Sequence, residues 1–522
     1  MKRNSILTAL VMGFFFFGTF SVNVVAGQLT CTELKSLALP HVTILSASEV
    51  EETQSLPKHC LLYGVIEDEI NFELKLPAEW NQKLYMGGNG GFAGGFRNTG
   101  INKALSRGYA TTQTDDGHTG NRFDASWALD NRKVQINFGY RAVHLTAKTA
   151  KAIVREYYGS HIRYSYFNGC SKGGGEAMTE SQRYPEDFDG IIAGAPAYDW
   201  TGSMGMGYVW NQQDMYPDSA SSTPTVPSSK LGLIQSAVLE NCDATDGLVD
   251  GLIDDPRNCT FDPAKDLPMC PGDVDGPNCF TTVQLAAIQR IYNGPSNSHG
   301  QLFPGFLPCG AEAYPNIIGW SFWFTDGRAI LQALGVDGPD GQYRFGEQFL
   351  RYFVYNDPTY EIHNFDFETD VRDLARAAKI LNATKTNLRQ FKAFGHKMIM
   401  YQGWADPAIT ALGTVKYYEQ VVDTMGGRKK VEGFFRLFMV PGGLHCGGGP
   451  GPAPDPTIAD CLPALEEWVE NGIAPNSIIA SHIDPNTQLV DRTRPLCPYP
   501  KVARYNGTGS TDDAANFSCQ EP

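Results

Sequence analysis

The chain has 522 residues, a net charge of −15, 42% hydrophobic residues and 19% charged residues. So acidic a protein has no electrostatic footing on nucleic acid or on an anionic membrane surface. Its length exceeds one ordinary domain and calls for a large core with an insertion, or for two domains.

Residues 1–26 begin with Lys2 and Arg3, continue as an apolar run from Ile6 to Phe20 and end in Val24-Val25-Ala26. This is the pattern of a secretory signal peptide cut after about Ala26, and its loss would take the charge to −17. No later stretch approaches the roughly 20 apolar residues that span a bilayer. An exported protein, periplasmic or extracellular, is therefore expected. All 12 cysteines follow that point, and an even number in an exported chain reads as six disulfides. No C-x-x-C pair is present, which argues against zinc and against a thioredoxin-like motif.

From Gln28 to Glu79 short apolar runs lead to a sheet: Cys31 and Cys60 are expected to pair, and Asn71 to Leu76 alternates as a strand does. Lys83 to Met86 is the next strand. It opens into Gly87 to Gly95, nine residues with six glycines, which serve either as a linker or to bring backbone N–H groups close to a ligand. Tyr109 to Thr114 is another strand. Val143, Ala147, Ala150 and Val154 then recur at helical spacing up to Tyr158.

Arg163 to Phe167 is a strand that runs into Gly169-Cys170-Ser171-Lys172-Gly173. The motif G-x-S-x-G between a strand and a helix is the nucleophile elbow, though alone it describes a glycine-rich turn equally well. Phe188 to Pro196 is a further buried strand. Residues 199–395 change texture, with many Pro, Gly and Asp residues and five cysteines, and read as a lid inserted into a core made of 27–198 and 396–522. The sheet resumes at Lys397 to Tyr401 and at Phe434 to Val440. A helix through Leu465, Trp468 and Val469 packs on it, and Cys497 with Cys519 ties down the tail.

The two resumed strands end in Gly403-Trp404-Ala405-Asp406 and Gly442-Gly443-Leu444-His445. Ser, Asp and His in that order at strand ends form the triad order of an α/β hydrolase. Ser171 is then the nucleophile, His445 the base that activates it and Asp406 the group that orients the imidazole. Taken singly, Asp406 reads as a turn residue and His445 as a solvated one; His118 and Asp423 are the alternatives for base and orienter. Cys170 precedes the serine and Cys446 follows the histidine. A bridge between them would bring nucleophile and base together, the alternative being that each pairs locally. Cys242 with Cys259 and Cys270 with Cys279 pair by proximity, leaving Cys309 for Cys461. Asp243, Asp246, Asp250 and Asp254 crowd one short turn and are read either as a solvated acidic loop or as a site for a hard cation.

The run Asn168 to Gly174, the segments Phe138 to His144 and Tyr184 to Pro196, and the cysteines beside serine and histidine resemble the tannase and feruloyl esterase family over nearly all of the mature chain. The resemblance implies an α/β-hydrolase core with a lid, the Ser171, His445 and Asp406 triad, and esters of aromatic acids, free or attached to a plant polymer, as substrates. It also implies an oxyanion hole from the N–H of Lys172 and of Gly90 or Gly91. A structural Ca2+ is implied too, held by Asp243, Asp246 and Asp250 and by the carbonyls of Leu248 and Leu252. Gly175 departs from the family pattern, in which an arginine is common at this place. A serine peptidase, or a binding protein that has lost the chemistry, are the rival readings.

Overall fold

The computed structural model describes Met1 and residues 29–97, 100–218, 223–315, 317–454 and 461–522. Apart from Met1, the expected signal peptide lies outside them. Nine strands form one sheet: β1 Val42–Val50, β2 His59–Ile66, β3 Ile70–Pro77, β4 Lys83–Gly87, β5 Ala110–Thr114, β6 Tyr164–Cys170, β7 Gly190–Gly194, β10 Lys397–Gly403 and β11 Phe435–Val440. Among the described residues between β7 and β10, the strands are one pair of two residues each, β8 Ser296–Asn297 and β9 Gly300–Gln301. The sheet order is β1-β2-β3-β5-β4-β6-β7-β10-β11. The first three strands and the β3–β5 contact are antiparallel, and every neighbour from β5 to β11 is parallel. This is the α/β-hydrolase arrangement.

Residues alternate across the parallel strands because successive side chains point to opposite faces. Met86, Phe167, Ile191, Met398, Met400 and Leu437 face one way and pack with Val143, Ala177, Met178, Val415 and Tyr418 from helices Ala142–Tyr158, Lys172–Arg183 and Ala411–Thr424. Tyr85, Tyr166, Ile192, Ile399, Tyr401 and Phe438 face the other way, onto Leu462, Leu465 and Trp468 of helix Cys461–Asn471. Burial on both faces is why these strands read as continuous apolar runs.

The insertion packs around its own aromatic core, with Trp200, Trp320, Phe322, Trp323, Phe324 and Phe345 buried together. That core does not respect the expected boundaries. Phe92 and Phe123 from the loops after β4 and β5, and Phe138 from the helical segment Asn137–Arg141, belong to it, whereas Ala383, Leu388 and Phe391 pack in the sheet layer. At the C-terminus, β12 Ile478–Ile483 pairs with β13 Val490–Leu496, and β14 Val502–Tyr505 with β15 Phe517–Gln520. Among the described residues, no helix is long and apolar enough to cross a membrane.

Five disulfides form: Cys31–Cys60, Cys170–Cys446, Cys242–Cys259, Cys270–Cys279 and Cys497–Cys519. The sixth expected pair does not, because Cys309 and Cys461 belong to different packing units. Cys309 is buried with Ala405 and Leu444 beside the ends of β10 and β11, its Sγ 3.0 Å from the carbonyl oxygen of Trp404. Cys461 starts a helix in the apolar layer with Leu462 and Leu465. Denatured, unreduced protein is therefore expected to yield two titratable thiols to a thiol reagent, from Cys309 and Cys461; finding none would show that the two pair.

Candidate active site

The parallel register brings four strand ends level. Cys170 of β6 lies beside Gly194 of β7, Gly194 beside Tyr401 of β10, and Gly403 of β10 beside Val440 of β11. Ser171, Asp406 and His445 leave the sheet at this one edge, on the loops after β6, β10 and β11. The loops are fastened to one another. Ser171 N–H donates to Gly194 O at 3.0 Å, Trp404 N–H to Val440 O at 3.0 Å and Ala405 N–H to Gly443 O at 3.0 Å.

Ser171 has φ 63° and ψ −121°, a conformation in which a side-chain-bearing residue is strained. The surroundings hold it there. A Cβ on Gly169 would lie 2.5 Å from the Gly173 carbonyl, and one on Gly173 would lie 2.9 Å from Asn89 O, so only glycines allow the turn and its close contact with the loop after β4. Ser171 also sits at the N-terminus of helix Lys172–Arg183, whose first N–H groups have no intrahelical acceptor.

His445 Nδ1 is 2.9 Å from Asp406 Oδ2 and 3.1 Å from Oδ1. The Asp406 side chain is fully buried and its remaining lone pairs are filled: Oδ1 accepts from Ala408 N at 2.8 Å and Ile409 N at 2.9 Å, and Oδ2 from Gln402 Nε2 at 3.0 Å. A carboxylate so fixed presents one face to the imidazole. On the other flank, Trp323 of the insertion meets the His445 ring edge-on at 5.5 Å between centroids. The Cys170–Cys446 bridge, with Cα atoms 5.7 Å apart, joins the neighbours of serine and histidine. Ser171 and His445 both line one cavity of about 340 Å3.

The alternatives fall elsewhere. His118 is buried and stacked on Trp127 at 3.8 Å, its pKa pushed down to about 4 by burial, and Asp423 is exposed near the end of a surface helix. The glycine loop separates its two candidates: Gly90 N–H donates to Asn89 Oδ1 at 2.9 Å, whereas Gly91 N–H and Lys172 N–H have no acceptor among the described residues. Gly91 is held at φ 60°, where a Cβ would lie 2.3 Å from Arg122 O.

A buried charge cluster underlies this loop. Lys172 Nζ is 2.6 Å from Glu176 Oε1 and 3.2 Å from Asp116 Oδ2, and Glu176 Oε2 accepts Asn89 N–H at 3.0 Å. Burial, followed by the Glu176 charge, raises the Asp116 pKa well above its ordinary value. Burial opposes the Lys172 ammonium, yet Asp116 and Glu176 hold its pKa above the usual lysine value. No sequence motif announced Asp116, Glu176, Asn89 or Gln402, although the helical step from Lys172 to Glu176 is a pattern visible in the chain.

The model of the tannase and feruloyl esterase family matches residues 62–520. The chain belongs to this family. It is 35% identical to an uncharacterized esterase of Xanthomonas campestris pv. campestris, covering 95% of this chain and 92% of that one. It is 34% identical to the mono(2-hydroxyethyl) terephthalate hydrolase of Piscinibacter sakaiensis, covering 91% and 87%. The crystal structure of feruloyl esterase B from Aspergillus oryzae matches with a TM-score of 0.80 at 25% identity, over 94% of this chain and 99% of that one. Family membership makes the protein a carboxylic ester hydrolase. At Gly175, where the family pattern commonly has arginine, a Cβ would lie 2.3 Å from Ala197 O, so the nucleophile helix packs directly on the loop after β7.

The acidic loop is closed by Cys242–Cys259 and covered by the C-terminal tail. Asp243 Oδ1 accepts Gly251 N at 3.1 Å, Asp246 Oδ2 accepts Asp254 N at 3.1 Å, and Asp250 Oδ2 meets Arg494 at 2.8 Å. The carbonyls of Leu248 and Leu252 accept no backbone donor among the described residues. Carboxylate and carbonyl oxygens are the donors that Ca2+ takes, although the ligand oxygens of Asp243, Asp246 and Asp250 are not drawn within 4.8 Å of one another.

In a chain-entropy view, a bridge closing 276 residues is worth on the order of 5 kcal/mol. Replacing Cys170 and Cys446 together by serine is expected to lower kcat/KM by more than about tenfold, because small displacements of nucleophile from base are costly. Circular dichroism should retain the native spectrum; unchanged turnover would show that the bridge does not position the site.

Proposed function

We propose that the protein is an exported serine esterase that cleaves esters of aromatic acids through an acyl-enzyme on Ser171. What carries this reading is His445, paired with buried Asp406, lining the same cavity as Ser171, with a disulfide tying together the residues beside serine and histidine. Ser171 Oγ attacks the ester carbonyl carbon while His445 Nε2 takes its proton, and Asp406 stabilises the imidazolium through Nδ1–H. The oxyanion is met by the N–H groups of Lys172 and Gly91. Collapse expels the alcohol, which takes the proton from His445. Water then attacks the acyl carbonyl as His445 takes its proton, and collapse releases the acid while His445 returns that proton to Ser171 Oγ. The insertion supplies Phe322, Trp323 and Phe345 to the cavity wall, an aromatic lining that favours an aromatic acyl group. Export is supported by the five disulfides.

Ca2+ belongs to the same reading as a structural ion. Asp243, Asp246 and Asp250 would hold it with the Leu248 and Leu252 carbonyls, neutralising the crowded carboxylates and fastening the insertion to the tail. It has no part in the chemistry.

Ser171→Ala is expected to lower kcat by at least about 10⁴-fold with an unchanged melting temperature, measured on a methyl ester of ferulic or gallic acid. Activity near that of the wild type would remove Ser171 from the mechanism. Assaying the matching amide beside the ester separates esterase from peptidase, and labelling by a serine-directed phosphonate separates either from an inactive binding protein. Stripping with EGTA is expected to lower Tm and added Ca2+ to restore it; a Tm indifferent to both would exclude the ion.

A further inference from the structure

The backbone of Lys172 serves the proposed reaction through its N–H, but its side chain is buried in the protein, with only 4% of the residue exposed. Its ammonium has three neighbours. Nζ is 2.6 Å from Glu176 Oε1, 3.2 Å from Asp116 Oδ2 and 4.4 Å from the centre of the Phe138 ring. These come from three segments: Glu176 from the nucleophile helix, Asp116 from the turn after β5, and Phe138 from the helical segment Asn137–Arg141.

Glu176 carries the contact onward, because its Oε2 accepts Asn89 N–H at 3.0 Å while its Oε1 meets the ammonium. One carboxylate therefore grips lysine and glycine loop together. Asn89 ties that loop on every side: Oδ1 accepts Gly90 N–H at 2.9 Å, Nδ2 donates to Thr114 O at 3.1 Å and to Gly95 O at 3.2 Å, and its carbonyl accepts Gly173 N–H at 2.9 Å. Gly91 follows directly. It is held between these bonds and the one from Phe92 N–H to Arg122 O at 2.8 Å.

Burying an ammonium with two carboxyl groups is a poor way to gain stability, since desolvation offsets most of their attraction. What the cluster supplies is position. We infer that Lys172 is a positioning residue for the oxyanion hole: its ammonium, held by Asp116, fixes Glu176, and through Asn89 it holds the loop bearing the Gly91 donor against the nucleophile turn. The residue that gives one donor thereby places the other. An apolar side chain at 172 would keep its own N–H but release Glu176, and Gly91 N–H would shift from where the oxyanion forms. Such a shift weakens a tetrahedral adduct more than a bound ester.

This inference rests on the esterase reading, and the test keeps the two apart. Turnover of a methyl ester of ferulic or gallic acid is measured beside inhibition by the free acid and by 2,2,2-trifluoroacetophenone. Serine Oγ adds to the ketone carbon, its proton passes to histidine, and the carbonyl oxygen becomes an oxyanion; the free acid makes no such adduct. Lys172→Met is expected to lower kcat by roughly 10- to 100-fold and to weaken the ketone by a similar factor, with KM and inhibition by the free acid within about twofold of the wild type. Glu176→Gln, which keeps an acceptor for Asn89 N–H but loses the ion pair, gives a second route if Lys172→Met folds poorly. In the double variant the two losses should not add. A kcat unmoved in both variants, losses that add, or ketone and free acid weakened by one common factor overturns the positioning role alone. Wild-type protein that neither hydrolyses the ester nor binds the ketone in a Ser171-dependent way overturns the esterase reading and the positioning role with it.

Discussion

The bond between Cys170 and Cys446 spans 276 residues and joins the neighbour of Ser171 to the neighbour of His445. Its geometry is possible only because β6, β7, β10 and β11 pair in parallel with their carboxyl ends level. The sheet brings the three loops to one edge, and the bridge removes the freedom that remains between two of them. Asp406 completes the arrangement from within, where its buried carboxylate is filled by two backbone donors and Gln402 before it meets His445.

The oxyanion loop depends on a second constraint, close packing between backbones. Glycines at 88, 169 and 173 let the loop after β4 touch the nucleophile turn; a Cβ on Gly88 would lie 2.8 Å from Gly173 Cα. Contact this close leaves no space for water, so the backbone donors must find partners in protein. Glu176 takes Asn89 N–H, and Asn89 in turn takes Gly90 N–H, leaving Gly91 as the donor that faces the cavity. Lys172 ties Glu176 to Asp116 beneath. The residue that follows Ser171 thus uses its side chain to hold the opposite wall of the site.

The insertion contributes shape and apolar surface. Its core is continuous with Phe92, Phe123 and Phe138, so the cavity wall is built jointly and the insertion cannot be treated as a separable cover. The acidic loop connects the insertion to the tail, through Arg494 on Asp250 and Leu248 against Cys497 and Phe517. Arg122 lies at the junction between the aromatic wall and the glycine loop after β4.

Some of this was legible in the chain. The apolar runs before Ser171, Asp406 and His445 marked buried strands, and the order of those residues marked their roles, because a parallel sheet delivers consecutive strand ends to one edge whatever the intervening sequence. The cysteines flanking serine and histidine carried the same information in covalent form. Cys309 and Cys461 show the limit: elimination paired them, but covalent pairing needs Cα atoms a few ångströms apart, and folding placed the two in different apolar layers. Likewise Gly90 and Gly91 are equivalent as letters and were separated only when Asn89 Oδ1 engaged one of the two N–H groups. Sequence by itself determined the order of Ser171, Asp406 and His445 and the strand that bears each, since those follow from local pattern and order. Tertiary structure alone decided the cavity wall and the buried charges, because burial and partnership depend on residues far apart in the chain.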